Sequence, residues 1–348
     1  MMNRQLIVLA AGLAAALITT PILAQRGGGG GPSQACKKEI MNMCGTNRSQ
    51  IQSCVKANFE RLSDRCQREL AKRMGIDLDA VKAGAALPPR ATNNADRIVM
   101  FGNTARQVID VFEPEDGSDE TPLIIFVQGQ DWYSGDVKSV QSKPSHFTKK
   151  GMFFASVGYR LRPMATVEDQ AKDVGLAVQA LVGQSNAIGF DPKRVVLMGD
   201  FAGAHLAALV ATDPQYAGEY FGAIAGVVLI DGMGFDVPAG VVMGEQPDRY
   251  KLTDAFGLAP SGQEAFSPVN HIGEGDAPHW LALYVEGSAL AKAQAEGLVG
   301  ALGEAGRSAK ATGITDTDID RISRQFGTEM GQAQTEAVDT FLAELFGS

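Results

Sequence analysis

Beyond residue 24 the sequence has no apolar run of the roughly 20 residues that a membrane-crossing helix needs. It has no excess of positive charge either. Its 31 Lys and Arg face 40 Asp and Glu, and a formal net charge of −9 argues against nucleic-acid binding by bulk electrostatics. Cysteine is scarce, with four residues, and no two of them form a CxxC knuckle. No histidine lies near them, so a zinc finger is not the expectation. No cysteine directly follows residue 24, which removes the usual point for a lipid anchor. Nothing in the chain calls for a cofactor, and none is expected.

What is present fits a globular protein. At 348 residues, 45% hydrophobic and 20% charged, the chain can build one core of roughly 250 residues beside a small extra module. Residues 1–24 have the pattern of a secretory signal: Arg4 in a positive n-region, an apolar run from Leu6 to Ile18, and small residues ending at Ala24. A retained anchor is the alternative, but the run is short for a span. The expected location is therefore the periplasm or the exterior, with no membrane contact once the signal is cleaved. Residues 25–34, rich in glycine, read as a flexible linker.

Cys36, Cys44, Cys54 and Cys66 all fall in the next stretch, residues 35–74. In an oxidising compartment an even cluster of this kind reads as two disulfides. Helical spacing there, with Asn47 or Ser49 and Ser63 as candidate N-caps, predicts three short helices. Cys36 and Cys44 on one helix would lie about 12 Å apart along its axis, too far to bond each other. Nested pairing (Cys36–Cys66, Cys44–Cys54) and crossed pairing both remain open. The module is basic, with nine Lys or Arg against four Asp or Glu, whereas beyond Met74 the balance is 20 basic to 36 acidic. Solvated helix faces account for this, as would docking of an anionic partner. The run Cys36-Lys-Lys-Glu-Ile, Cys44, Cys54-Val-Lys, Leu62-Ser63 and Cys66-Gln-Arg resembles one copy of the cysteine-rich repeat of a Golgi glycoprotein. That resemblance implies a small disulfide-bonded helical module.

Residues 75–96, with Pro88 and Pro89, read as a second linker, and from 97 to 348 strands alternate with helices. Strands are expected at Arg97–Phe101, Ala105–Phe112, Leu123–Val127, Met152–Tyr159, Arg194–Met198, Ile224–Ile230, Trp280–Val285 and Arg307–Ala311. Helices are expected at Val167–Val182, Ala202–Ala211, Ala289–Leu302 and Glu329–Leu345. This alternation predicts an α/β fold, a mostly parallel sheet of about eight strands covered on both faces, with an antiparallel start.

One turn stands out. Val195 to Gly199 is a buried strand that enters Gly199-Asp200-Phe201-Ala202-Gly203 and then a helix carrying His205. A nucleophile elbow needs small residues two before and two after the reacting residue, because the turn is tight. Gly199 and Gly203 meet that demand and place Phe201 at the reacting position. The segment resembles the GDSAGGH signature of the esterase branch of α/β-hydrolases, the branch of hormone-sensitive-lipase-like, feruloyl-esterase-like and kynurenine-formamidase-like enzymes, and departs from it at Phe201 and Ala204. Gly158-Tyr159-Arg160-Leu161-Arg162-Pro163, Phe190-Asp191-Pro192, Ser267-Pro268-Val269-Asn270-His271 and Asp276-Ala277-Pro278 resemble further elements of that branch, in order.

The resemblance implies a catalytic apparatus whose parts are missing here. Phenylalanine has no nucleophilic atom. The loop Gln128-Gly129-Gln130-Asp131-Trp132-Tyr133-Ser134-Gly135-Asp136 matches HGGGW-x-SGD only at Gly129, Trp132 and its end, so Gln130 and Asp131 stand where glycines serve an oxyanion hole. Asp131 facing that pocket would repel the developing charge. The HGExD-like acid turn is Glu286-Gly287-Ser288-Ala289, without aspartate. The base loop, with Asp316, Asp318, Ile319 and Asp320, has no histidine; the four histidines are 146, 205, 271 and 279. Asp200, one residue off the elbow, is expected to point elsewhere. Asp316, Asp318 and Asp320 alternate like calcium ligands, but Arg321 and Gly327 break that motif where glycine and glutamate belong, and a solvated acidic loop fits better.

The expectation is therefore a non-catalytic pseudo-esterase that binds a small apolar or aromatic ligand, or a protein partner, in a cleft floored by Phe201 and flanked by Trp132 and Tyr133. An active ester hydrolase using Asp131, Glu286 or Asp316 as a base, and a partner-binding role for the cysteine-rich module, are the alternatives.

Overall fold

A computed structural model describes residues 33–44, 62–63, 65–67 and 95–347. The signal segment, nearly all of both linkers, the candidate caps Asn47 and Ser49 and the Cys44–Cys54 pairing lie outside these residues. The chain divides into two compact units, residues 1–91 and 92–348, and the division falls within the stretch read as the second linker.

In the first unit, helix α1 (Gln34–Cys44) carries Cys36, which is bonded to Cys66 with Cα atoms 5.1 Å apart. This bond belongs to the nested pairing and excludes the crossed one. Ser63 caps the turn that holds Cys66, its hydroxyl accepting from the Cys66 N–H at 3.3 Å. The same hydroxyl donates to Glu39 of α1 at 2.7 Å, so cap and disulfide tie the same two segments together. Ile40 and Leu62 are buried in this unit.

The second unit is an eight-stranded sheet: β1 (Arg97–Met100), β2 (Val108–Phe112), β3 (Leu123–Val127), β4 (Phe153–Val157), β5 (Val195–Asp200), β6 (Ile224–Ile230), β7 (His279–Val285) and β8 (Ser308–Ile314). The strand order is β1-β2-β4-β3-β5-β6-β7-β8, with β1–β2 and β2–β4 antiparallel and every other pair parallel. The central strands β3 and β5 are buried on both faces, which is why they read as unbroken apolar runs. Edge strand β8 carries Lys310 and is half-exposed, and a charged edge of that kind discourages pairing with another chain.

Around the sheet run α2 (Lys143–Lys149), α3 (Val167–Val182), α4 (Ala202–Thr212), α5 (Val237–Met243), α6 (Asp248–Phe256), α7 (Pro260–Ala265), α8 (Ala289–Glu304) and α9 (Gln332–Phe346). Helices α3, α4 and α8 pack on one face through Val174, Leu206 and Leu298, while α2 and α9 cover the other through Phe147, Val338 and Leu342. Helix α3 starts where expected because Thr166 and Asp169 form a reciprocal capping box. Strand β2 begins later than expected, since the Gln107 N–H donates to the Thr104 carbonyl and turns the chain there. The segment expected as one helix over 329–345 is a 3-10 turn, Glu329–Gly331, followed by α9. Helices α2 and α5–α7 were not expected; they are short, and their apolar residues follow no long period.

This topology gathers the connections after β3, β5, β6, β7 and β8 at the carboxyl rim of the parallel strands, where open α/β sheets place their sites.

Candidate functional site

The turn between β5 and α4 has the geometry of a nucleophile elbow. Phe201 has φ 50° and ψ −116°, a region that costs a non-glycine residue on the order of 1–3 kcal/mol. The surroundings hold it there. Its N–H donates to the Ile230 carbonyl at 2.9 Å, and its own carbonyl accepts from the His205 N–H at 3.2 Å. A Cβ on Gly199 would lie 2.3 Å from the Gly203 carbonyl oxygen, and one on Gly203 would lie 2.0 Å from the Val127 carbonyl oxygen. Both glycines are therefore obligatory for the crossing of α4 against β3 and β5, whatever residue occupies position 201. Phe201 is half-buried, and its ring packs against the core layer that includes Phe126 and Phe326.

The loop after β3 differs from expectation in two side chains. Asp131 does not face the cleft. Its carboxylate accepts from the N–H groups of Tyr133 (3.1 Å) and Ser134 (2.9 Å) and from the Ser134 hydroxyl (2.8 Å), closing its own turn. Trp132 turns inward and is fully buried, its indole N–H donating to His205 Nδ1 at 3.3 Å with Phe256 edge-on at 5.0 Å. Tyr133 lies under the Arg162 guanidinium, 5.2 Å from its ring centre. Neither aromatic residue flanks the cleft, because a ring this large finds more apolar contact beneath α6 than at the rim. Gly129 keeps its place: a Cβ there would lie 2.4 Å from the Tyr159 hydroxyl, which donates to the Gln128 carbonyl at 2.6 Å.

Asp200 also departs from expectation. It points into the cleft, where one carboxylate oxygen accepts from the Gly129 N–H at 3.0 Å and the other from the Ser323 hydroxyl. Burial raises its pKa, opposed by the charge of Lys143 and by these two hydrogen bonds. The Gly129 N–H is thus tied to Asp200, which fixes the start of the loop that carries Gln130 and Asp131.

Lys143 and Ser323 complete a cluster that local sequence reasoning missed. Lys143, on the first turn of α2, is fully buried, and its ammonium donates to the Ser323 carbonyl at 2.7 Å and the Ser323 Oγ at 3.0 Å. It lies 4.9 Å from the centre of the Phe126 ring. Burial pushes its pKa down to about 8, with Asp200 pulling the other way. No periodic signal marks Lys143, and Ser323 lies in an irregular loop 180 residues away, so only the fold brings them together.

The remaining expected positions lie apart from this cluster. Glu286 is exposed and pairs with Lys292 at 3.0 Å. Ser288 caps α8, accepting from the Ala291 N–H. In the loop after β8, Asp316 has φ 57°, and Asp318 pairs with Arg321 at 2.7 Å, while Ile319 and Asp320 reach the cleft. Among the described residues no group of three or more His, Cys, Asp or Glu gathers as metal ligands.

None of the four histidines lines the cleft at the elbow. His205, one turn along α4, accepts from Trp132 on one nitrogen and hydrogen-bonds the Phe266 carbonyl at 2.8 Å on the other; burial holds its pKa down to about 4. His146 pairs with Asp339 of α9 at 2.8 Å. His271 and His279 belong to the amino end of β7, opposite the rim.

The cleft above the elbow has a volume of about 370 Å³. Its walls are largely polar, with Gln128, Gln130, Asp136, Gln141, Asp320 and Arg324, and with Phe201 and Ile319 as apolar members. This corrects the expectation of an apolar site. A larger groove of about 800 Å³ lies at the surface between Glu113–Asp116 and α2 and does not include the elbow.

The BD-FAE family model matches residues 109–221, the span from β2 to just before β6. A probable isoprenylcysteine alpha-carbonyl methylesterase of Oryza sativa subsp. japonica is 30% identical over 112 residues, 32% of this chain and 27% of that protein. The chain thus spans about a quarter of the length of the first such relatives. A kynurenine formamidase of Danio rerio is 24% identical over 265 residues, 74% of this chain and 87% of that protein. Among solved structures, Thermogutta terrifontis esterase 2 phosphonylated by sarin superimposes with a TM-score of 0.64 at 21% identity, over 74% of this chain and 97% of that one.

Proposed function

This chain is an esterase-like α/β-hydrolase, and we propose that it does not turn over esters at its elbow and instead binds a small carbonyl compound in the cleft above it. The observation that carries this reading is the residue at the strained position: Phe201 holds the nucleophile conformation, φ 50° and ψ −116°, with no atom able to attack a carbonyl. Two arrangements support it. His205 has both ring nitrogens engaged, and Gln130 and Asp131 stand where the resemblance places the glycines of an oxyanion hole. A serine esterase needs a free base and free oxyanion donors.

The ligand class follows from the walls and the relatives. By their names, the relatives act on a carboxyl methyl ester and a formamide, both compact carbonyl groups. The amide N–H groups of Gln128 and Gln130 and the guanidinium of Arg324 would donate to such a carbonyl, the Gln oxygens would accept from an amide N–H, and Phe201 would cover its apolar side. Residues 1–24 and the Cys36–Cys66 disulfide support a place of action outside the cytoplasm.

The test is turnover of short p-nitrophenyl esters by the purified protein. The expected result is no sustained release of nitrophenolate above a heat-denatured control, together with a rise in melting temperature on adding small esters or amides. Sustained turnover that disappears on mutating Glu286 or Asp316 would refute the reading.

A further inference from the structure

We propose that Ser323 is a nucleophile relocated to the opposite wall of the cleft, and that an activated carboxylic ester bound above Phe201 acylates its Oγ. The proposal rests on the reading of the cleft as a ligand site and adds a covalent step to it.

Three observations point to Ser323. Its hydroxyl is held between two charged groups, donating to the Asp200 carboxylate and accepting from the Lys143 ammonium at 3.0 Å. Serine becomes nucleophilic when a base takes its proton and a positive charge stabilises the oxygen left behind, and those two groups stand on either side of Oγ. Next, Lys143 is fully buried, and the acceptors around its ammonium are neutral oxygens: the Ser323 carbonyl and hydroxyl and the Gln141 side-chain oxygen at 3.5 Å. A buried cation is costly, and here it stands across Oγ from the buried Asp200 carboxylate, whose charge compensates it, so the hydroxyl lies between two opposite charges. Finally, Ser323 opens onto the same 370 Å³ cleft as Gly129 and Phe201, so a ligand carbonyl can reach it.

The step balances without an added reactant. As Oγ bonds to the acyl carbon, its proton passes to Asp200, and the bond from that carbon to the leaving alkoxide breaks. Asp200 returns the proton to the departing oxygen. The products are acyl-Ser323 and one alcohol, with no change of oxidation state. Lys143 does not touch the acyl group; it polarises Oγ and fixes its direction. Once the alcohol has left, Asp200 is a carboxylate again, and removal of the acyl group needs a water placed between it and the acyl carbon. The acylation step alone is proposed.

The test uses the full chain with p-nitrophenyl acetate and, for a stable adduct, a fluorophosphonate. The expected result is a burst of one equivalent of nitrophenolate per chain, a single adduct in the intact mass, and its location on the peptide containing Ser323. Ser323→Ala should abolish labelling, and Lys143→Met should slow it at least tenfold while near-UV circular dichroism stays native. Should either variant fail to fold, peptide mapping of the wild-type adduct decides alone. No adduct, an adduct on another residue, or a folded Lys143→Met chain labelled at the wild-type rate would each overturn the proposal. Failure of the cleft reading looks different: the Ser323 adduct would form, yet small amides would give no change in melting temperature.

Discussion

Restoring serine at the elbow should not restore an esterase. Phe201→Ser leaves the turn intact, because its geometry is set by the close approaches at Gly199 and Gly203 and by the hydrogen bond to the Ile230 carbonyl. The new hydroxyl would have no base, as His205 is committed on both nitrogens and His279 sits at the far end of β7. Loss of the base in a serine hydrolase costs about 10⁶ in kcat, or about 8 kcal/mol of transition-state stabilisation. Gln130 and Asp131 stand where glycines serve an oxyanion hole, and each donor so lost is worth a further factor of about 10²–10³. Against these losses, removal of the half-buried ring should lower stability by about 1–2 kcal/mol, which leaves the protein folded. The assay is steady-state hydrolysis of p-nitrophenyl butyrate in a Ser323→Ala background, with urea unfolding as the control for integrity. A kcat on the order of 1 s⁻¹ or more, the ordinary range for enzymes, would refute the reasoning.

The buried His205 has its pKa lowered to about 4, so the unfolded chain binds a proton there before the folded one does. Stability is fully present above pH about 6.5 and falls as the pH drops towards 4, by up to about 3 kcal/mol; urea titrations at pH 7 and 4.5 should show this fall in the wild type and lose that part of it in His205→Gln. Gly203→Ala sets a methyl 2.0 Å from the Val127 carbonyl oxygen and should cost on the order of 4 kcal/mol or prevent folding, read from the urea midpoint. An unchanged midpoint would mean that α4 does not cross β3 as described. Asp173 is fully buried and accepts from the Arg160 Nε and an Nη, both at 2.8 Å, as well as from Gln107. Asp173→Ala should cost about 3–5 kcal/mol by leaving that guanidinium half-buried with Asp169, 3.8 Å away, as its remaining counter-ion, measurable as a large drop in melting temperature.

What was legible in the chain followed from local constraints. The bounds of β3, β6 and α3 agree with the apolar runs and with the Thr166–Asp169 cap, because each is decided by neighbouring residues. The elbow was legible for the same reason: its glycine spacing answers a steric demand within five residues. Side-chain direction was not. Asp200 was expected to turn away and instead faces the cleft, since its partners Gly129 and Ser323 come from 71 and 123 residues away. Trp132 was expected at the rim, but the aromatic residues that draw it inward lie on α4 and α6. Lys143 carries no mark of burial in the sequence, because lysine is ordinarily exposed and its partners are remote in the chain.

The backbone at Phe201 bears on how function is inferred from shape. The strained turn forms because a helix must leave a sheet through a narrow gap between two carbonyl groups, and it forms around a hydrocarbon ring as readily as around a hydroxyl. Elbow geometry alone therefore says nothing of which residue the turn carries. The informative region is the loop that follows β8. There this chain presents a serine hydroxyl bridging a buried ammonium and a carboxylate. The shape of the elbow thus follows from packing, whereas what the cleft can hold follows from the side chains that the loop after β8 brings to it.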